Sequence, residues 1–309
     1  MKLVFMGTPE FAVPSFEKLL NSRHQVDAVV TAPDKPAGRG LKLRESPVKQ
    51  AAQKADIPVL QPENLKSVDF INQLGEINAE LFVVVAFRIL PEKVFTMPPQ
   101  GTFNLHASLL PKYRGAAPIN WALVNGESKT GVTTFFIEKN IDTGNILIQR
   151  ELPISDDMTA GELHDQLMVL GAEVVLETVN AIAHNQITPK QQTGNVTKAP
   201  KIHTSNCKID WTCSAEELHN QIRGLSPLPG AFTFFKGKRL KILRSQKANT
   251  SSNQPEGAVV QADKNGVIAV QTGEGILNIL EVKPEGKRQM SAREFLRGYQ
   301  LHPGDQFED

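Results

Sequence analysis

The chain has 309 residues, 40% of them hydrophobic and 22% charged, with a formal net charge of +1 at pH 7. That length holds two domains with sizeable cores, and near-neutrality excludes a histone-like polyanion binder while leaving room for a local basic patch. Cys207 and Cys213 are too few and too oddly spaced for a zinc site or a disulfide scaffold, which predicts free thiols in a reducing compartment, the cytoplasm.

Residues 3–6, Leu-Val-Phe-Met, predict an apolar strand too short and wrongly flanked for a signal peptide. The turn Gly7-Thr-Pro9 leads into a helix with Pro9 near its first position, and Phe11, Phe16, Leu19 and Leu20 then recur at helical spacing. This turn is neither a Gly-x-Gly-x-x-Gly fingerprint nor a Walker loop, so the segment implies no dinucleotide or ATP. A second strand is expected at 26–30. The loop from Asp34 to Arg44 carries Lys35, Arg39, Lys42 and Arg44 against Asp34 alone, interleaved with Gly38 and Gly40. Ser46-Pro47 reads as a cap followed by a first-turn proline, opening another helix. The unbroken apolar run at 81–87 suits a parallel strand covered on both faces, and 102–106 and 132–137 supply further strands. Alternating strands and helices predict a Rossmann-like, doubly wound, mainly parallel α/β sheet.

A helix at 160–184 places Leu163, Leu167, Leu170, Val174 and Ile182 on one stripe. No run approaches the apolar length of a membrane span, so no membrane partner is expected. The periodicity then fades, and residues 190–206 are expected as a linker between a domain over 1–189 and one over 207–309. Ser214-Ala-Glu-Glu217 is a capping box that opens a short helix, and Ser291-Ala-Arg-Glu294 is a second. Between them lie strand-like runs at 231–235, 239–244, 258–262, 267–271 and 276–282, punctuated by turn residues. Five short strands and a helix predict a small OB-like β-barrel, a fold often used on oligonucleotides. From Cys207 to Lys247 eight basic residues face three acidic ones, Asp210, Glu216 and Glu217. Lys236, Lys238, Arg239, Lys241 and Arg244 form the dense part. Solvated lysines are the default reading of such a cluster. A second cluster on the 34–44 loop instead suits a long anionic partner that presents one end to a pocket.

The chemistry concentrates in Gly101-Thr-Phe-Asn-Leu-His-Ala-Ser-Leu-Leu-Pro111. Asn104 and His106 are two apart on a strand, so amide and imidazole project to one face. Polar residues at the carboxyl end of an apolar strand are where open α/β sheets place their chemistry. Asn140-Ile-Asp-Thr-Gly144 is an acidic loop able to bring Asp142 to the imidazole. Taken singly, each of these is as ordinary as a strand-end cap or a polar turn. Together with His106-Ala-Ser-Leu-Leu-Pro111 and Tyr113-Arg-Gly-Ala-Ala-Pro118, with Met1-Lys-Leu-Val-Phe-Met-Gly-Thr-Pro-Glu-Phe-Ala12 and with Ala32-Pro-Asp-Lys-Pro-Ala-Gly-Arg-Gly40, they make the whole chain resemble the tetrahydrofolate-dependent formyltransferases. One departure is Ala86-Phe-Arg88, where many relatives read Ala-Tyr-Gly.

The resemblance implies 10-formyltetrahydrofolate as formyl donor, methionyl-initiator tRNA as acceptor and no metal. It implies that Asn104, His106 and Asp142 are catalytic and that Ser108, Leu109, Leu110 and Pro111 line the folate site. It also implies that Lys35, Arg39, Lys42 and Arg44 sit on an acceptor-stem loop, with the basic barrel as a further tRNA contact, in a chain acting as a monomer. Formyl transfer to an amine needs a donor for a tetrahedral oxyanion and a group to move protons, but no serine or cysteine nucleophile. A small amine such as glycinamide ribonucleotide or an amino-sugar nucleotide, hydrolysis of the formyl folate, and a non-catalytic RNA-binding role stay open as alternatives. The two basic clusters argue for tRNA over a sugar nucleotide, and the intact trio argues for catalysis.

Overall fold

The computed structural model describes residues 1–37, 42–248, 250, 252–263 and 266–308. By packing, the chain divides into two units. The first is Met1–Gly115, Thr130–Leu152 and His164–Lys198, and the second is Ala116–Lys129, Pro153–Leu163 and Ala199–Asp309.

Along the chain come β1 (Lys2–Gly7), α1 (Val13–Leu20), β2 (Gln25–Val30), β3 (Lys35–Ala37), β4 (Lys42–Arg44), α2 (Pro47–Lys54) and β5 (Val59–Leu60). They are followed by α3 (Val68–Glu76), β6 (Leu81–Val85), α4 (Glu92–Phe95), β7 (Thr102–His106) and β8 (Arg114–Gly115). Next are α5 (Pro118–Val124), β9 (Lys129–Phe136), β10 (Ile146–Pro153), α6 (Ala160–Ala183) and β11 (Lys198–Ala199). The seven-stranded sheet has the order β10-β9-β7-β6-β1-β2-β5. From β7 to β5 neighbours run parallel, and β9 is antiparallel to β7. The winding direction reverses between β1 and β6, the mark of the expected doubly wound sheet.

β6 is Leu-Phe-Val-Val-Val with every residue buried, and β1 is buried from Leu3 to Met6. Strands covered on both faces need this unbroken apolar character. Val4, Met6, Ala28, Val30, Phe82 and Val84 form one core with Phe70 and Leu74 of α3. Ser46 caps α2 by accepting the Lys49 N–H, with Pro47 in the first turn, as the sequence predicts. α1 differs from expectation. Glu10–Ala12 is a 3-10 turn and the α-helix starts only at Val13, because Pro14 must fall in a first turn where it has no bond to lose. The 34–44 loop also differs, since β3 and β4 pair as an antiparallel hairpin that sets Lys35 opposite Arg44.

The 24 residues of α6 are long and apolar enough, by length and composition, to cross a membrane, contrary to the expectation that no run approaches that length. In the fold its later turns cover the sheet. A Cβ on Gly171 would come within 2.6 Å of Leu105 Cδ2, and the buried Thr178 hydroxyl bonds Thr134 of β9 at 2.8 Å. Leu167, Val174, Val175 and Val179 are buried, while Asp165, Glu173 and Glu177 are exposed. The apolar face thus belongs to a core helix. Residues 190–197, in the segment expected as linker, are tied into the first unit. Lys190 and Ile146 exchange backbone bonds, and Thr197 accepts from the N–H groups of Tyr113 and Arg114.

The second unit contains α7 (Ala215–Leu225), β12 (Ala231–Phe235), β13 (Lys238–Ala248), β14 (Val259–Ala262), β15 (Ile268–Gln271), β16 (Ile276–Pro284), β17 (Met290–Ser291) and α8 (Ala292–Gly298). Both capping boxes form: Ser214 with Glu217 opens α7, and Ser291 with Glu294 opens α8. The sheet order is β12-β13-β16-β15-β14 with β17 on β16, antiparallel throughout. Residues 304–308 join its two ends. Glu308 exchanges backbone bonds with Phe234 of β12. On the other side Val259 donates to Asp305 at 2.8 Å and Phe307 donates to Gly257 at 2.9 Å. The sheet therefore closes, as the OB-like expectation requires. The terminal segment that closes it carries no alternating pattern and was not anticipated.

Candidate active site

β7 ends in the expected polar pair. Asn104 is half-buried, and among the described residues its amide has no hydrogen-bond partner. His106 is 6% exposed and its Nε2 lies 2.8 Å from the Tyr113 carbonyl oxygen. A carbonyl only accepts, so Nε2 carries hydrogen and Nδ1 is the nitrogen left for chemistry. Asp142 Oδ2 faces Nδ1 at 3.9 Å, an ion-pair separation beyond a hydrogen bond. The Tyr113 carbonyl, not Asp142, therefore fixes the ring. The gap at Nδ1 leaves that edge of the imidazole near a carboxylate without being closed by it.

Asp142 is held by hydrogen bonds to both its carboxylate and its carbonyl. Its Oδ2 accepts the Gly115 N–H at 2.9 Å, and its φ of 55° is a left-handed conformation that aspartate tolerates better than most residues. Its carbonyl and that of Gly144 each accept from Gln192 Nε2, at 2.9 and 2.8 Å. Gln192 Oε1 in turn accepts from Arg114 Nε at 3.1 Å and Nη2 at 2.6 Å. The loop lies close on β9, since a Cβ on Gly144 would sit 1.7 Å from the Phe136 carbonyl. Gly144→Ala is accordingly expected to displace the Asp142 loop and lower turnover by roughly tenfold or more. Assay of the purified variant, with its melting temperature, checks this.

The segment Ser108 to Pro111 is built largely inward. Ser108 is fully buried and its hydroxyl donates to the Lys112 carbonyl at 2.6 Å. Leu110 and Pro111 are buried too, and Leu109 is the partly exposed member. Thr133 fixes the turn: its hydroxyl donates to the Ser108 carbonyl at 2.6 Å and accepts the Leu110 N–H at 3.2 Å. Gln149 Nε2 adds bonds to Thr133 Oγ1 and to the Leu110 carbonyl, both 2.9 Å. Sequence reading missed Thr133, Gln149 and Gln192, which lie on a strand face, on the edge strand and inside the expected linker, with no motif to flag them. At Arg88 the guanidinium turns to the carbonyls of Pro62 and Glu63 at 2.7 and 3.2 Å and sits over the Phe87 ring. Burial lowers its pKa.

The basic residues of the 34–44 hairpin divide. Lys35 and Arg44 are exposed and directly paired across strands, a like-charge arrangement that a bound anion relieves. Arg39 lies outside the described residues, as does the side chain of Lys42. Asp34 is taken by Lys49 and by Gln61, which hold its carboxyl below the usual range. In the second unit the basic cluster is mostly committed. Arg244 is paired with Glu162 and lies 3.8 Å from Glu281. Burial works against the Glu162 carboxylate, but donors from Thr159 and Arg244 outweigh it and its pKa is lowered. Lys241 and Lys236 donate to the carbonyls of Pro229 and Gln300, and Lys236 also covers Phe235. Arg239 stacks over Phe232 at 4.5 Å while staying exposed, and Lys238 is exposed at the start of β13.

Among the described residues, no group of three or more His, Cys, Asp or Glu side chains is placed to hold a metal ion. Residues 1–179 match the family described as formyl transferase, and residues 201–300 match the formyl transferase C-terminal domain. A methionyl-tRNA formyltransferase of Caldanaerobacter subterraneus subsp. tengcongensis is 47% identical, over 98% of this chain and 99% of that protein. Another, from Bacteroides thetaiotaomicron, is 45% identical over 98% and 97% respectively. Among solved structures, the sugar 3N-formyl transferase WlaRD, in the presence of dTDP and 5-N-formyl-THF, superposes with a TM-score of 0.67. That likeness covers 93% of this chain and 99% of WlaRD at 23% identity and concerns the fold.

Proposed function

This chain belongs to the formyl transferase family, and we propose that it moves the formyl group of 10-formyltetrahydrofolate to the amino group of methionyl-initiator tRNA, the acylation that readies this tRNA to start translation. The observation that carries the chemistry is the unpartnered Asn104 amide beside a buried imidazole whose free nitrogen faces Asp142 at 3.9 Å.

In this reading the methionyl amine attacks the formyl carbon. The carbonyl oxygen takes the negative charge, and a tetrahedral species forms. The Asn104 amide donates to that oxygen without a change of charge, in a half-buried position where such a bond is worth more than in water. The species collapses by breaking the bond from carbon to the folate nitrogen. Overall the amine loses one proton and the folate nitrogen gains one. His106 Nδ1 is the site through which the proton passes, and Asp142 stabilises the ring while it is protonated. No covalent enzyme intermediate and no metal are required. Leu109 offers the folate an apolar side chain, and the loop 108–111 offers it backbone groups held in place by Thr133 and Gln149.

We assign formyl transfer to residues 1–189 together with the segment 190–197 that is tied to them, and tRNA contact to residues 207–309, in a monomer working in the cytoplasm. Lys35, Arg39, Lys42 and Arg44 meet the acceptor end. Within the 236–244 cluster, the side chains of Lys238 and Arg239 are exposed and, among the described residues, have no ion-pair or hydrogen-bond partner, while Lys236, Lys241 and Arg244 already have partners. The direct test is incubation with 10-formyltetrahydrofolate and methionyl-tRNA, scoring formylmethionine against free formate. Release of formate alone, or transfer only to an amino sugar, overturns the tRNA reading.

The charge assignment predicts a contrast. Lys238→Glu with Arg239→Glu should raise KM for tRNA and flatten its salt dependence, with folate binding unchanged. Arg244→Glu should act first on stability, because it leaves Glu162 facing a second carboxylate. Arg39→Ala should cost methionyl-tRNA formylation far more than transfer to a small amine. Equal losses on both acceptors would remove the loop from acceptor recognition.

A further inference from the structure

We propose that Gln192, clamped by Arg114, is a positioning residue for formyl transfer that sets the distance between Asp142 and His106. The inference rests on the reading of Asp142 as part of the reacting centre.

The Gln192 amide makes all four bonds open to it. Both N–H groups go to backbone carbonyls, of Asp142 at 2.9 Å and Gly144 at 2.8 Å. Its oxygen takes a two-point contact from the Arg114 guanidinium at 2.6 and 3.1 Å. Carbonyls only accept and guanidinium only donates, so the amide has one possible orientation. A saturated group of this kind does not hop between rotamers without losing several bonds together.

What it joins matters more than how firmly. Tyr113, Arg114 and Gly115 are consecutive. The first holds the His106 ring through its carbonyl, at 2.8 Å. The third holds the Asp142 carboxylate through its N–H, at 2.9 Å. Between them, Arg114 grips Gln192, which grips the backbone of the Asp142 loop. Imidazole and carboxylate are thus both referred to one three-residue segment. Thr197, five residues beyond Gln192, anchors that segment by accepting the Tyr113 and Arg114 N–H groups. Without the Gln192 donors, the Asp142 loop keeps the Gly115 contact to its carboxylate and the Phe136 N–H bond to the Asn145 carbonyl. The carbonyls of Asp142 and Gly144 lose their donor, and the left-handed φ of 55° loses that support. A misplacement of about 1 Å at a reacting centre costs on the order of a hundredfold in rate.

Gln192→Glu separates positioning from folding. It keeps and strengthens the Arg114 clamp but replaces both donors with an oxygen that repels the two carbonyls. The expected result is a folded protein with kcat lowered roughly tenfold or more and KM for both substrates within about threefold. In an Asp142→Ala background the same change should lower kcat by less than about threefold further, because the group it positions is gone. Wild-type kcat in Gln192→Glu, or a full multiplicative loss on top of Asp142→Ala, overturns the proposal while leaving the role of Asp142 intact. Near wild-type kcat in Asp142→Ala overturns the reading of Asp142 and the proposal with it. Gln192→Ala serves as second variant if the glutamate does not fold, and failure of both to fold makes Gln192 a structural residue, which also overturns the proposal.

Discussion

Replacing His106 with alanine is expected to lower turnover by roughly a hundredfold or more while the fold persists. The ring is buried, but its one hydrogen bond is to the Tyr113 carbonyl in the turn before β8, so the loss falls on the chemistry before it falls on the core. Asn104→Ala and Asp142→Ala should each show a comparable drop. In Asn104→Ala the loss should lie in kcat, because a donor to an oxyanion acts mainly in the transition state. The combined variants should lose far less than the product of the single losses, since all three groups serve one transition state. Single-turnover formylation of methionyl-tRNA, with circular dichroism to confirm folding, measures this. Near wild-type turnover in a folded single variant removes that residue from the mechanism.

That trio was legible because its signals are local. Asn104 and His106 are two residues apart on one strand, and period two alone puts them on one face. The parallel strands were legible for the same kind of reason, since an unbroken apolar run such as Leu-Phe-Val-Val-Val has few other uses. Both capping boxes and the Ser46-Pro47 helix start were read from residues within four positions of each other, and all three formed. The helix start at Val13 was misplaced because two prolines compete for it, and Pro14, deeper in the segment, has the stronger veto.

The rest depends on contacts distant in sequence. Gln192 reaches Asp142 across fifty residues, from a stretch whose composition looks like a linker. Thr133 fixes the Ser108–Leu110 turn across 25 residues, and nothing in its strand marks one threonine over Thr134 beside it. Net charge misled in another way. The basic run at 236–244 is a property of composition, but three of its five cations are absorbed by Glu162 and by carbonyls of Pro229 and Gln300. Long side chains settle on whatever acceptor the fold brings near, so a count of lysines overstates the free charge.

Phe307→Ala carries the largest expected effect on stability. Phe307 is 2% exposed and stacks against Trp211 at 5.8 Å and edge-on against Phe235 at 5.5 Å, so it sits between two aromatic rings of the barrel core. Removing a buried phenylalanine ring costs about 3–5 kcal/mol through lost transfer energy and the cavity left behind. Here a second cost follows. The ring pins the segment 304–308, whose backbone bonds to Phe234, Gly257 and Val259 join the two ends of the sheet. If the segment detaches, β12 becomes an open edge with unpaired N–H and C=O groups, and the Trp211 indole loses its stacking partner. Guanidinium unfolding followed by Trp211 fluorescence, with Trp121 replaced by phenylalanine to leave one reporter, should show the barrel transition at distinctly lower denaturant. Catalysis should respond selectively: the His106 and Asp142 bonds described here involve no residue beyond 192. Formyl transfer to a small amine should therefore outlast methionyl-tRNA formylation as the barrel opens. A shift below about 1 kcal/mol would mean that the terminal segment lies on the barrel without closing it.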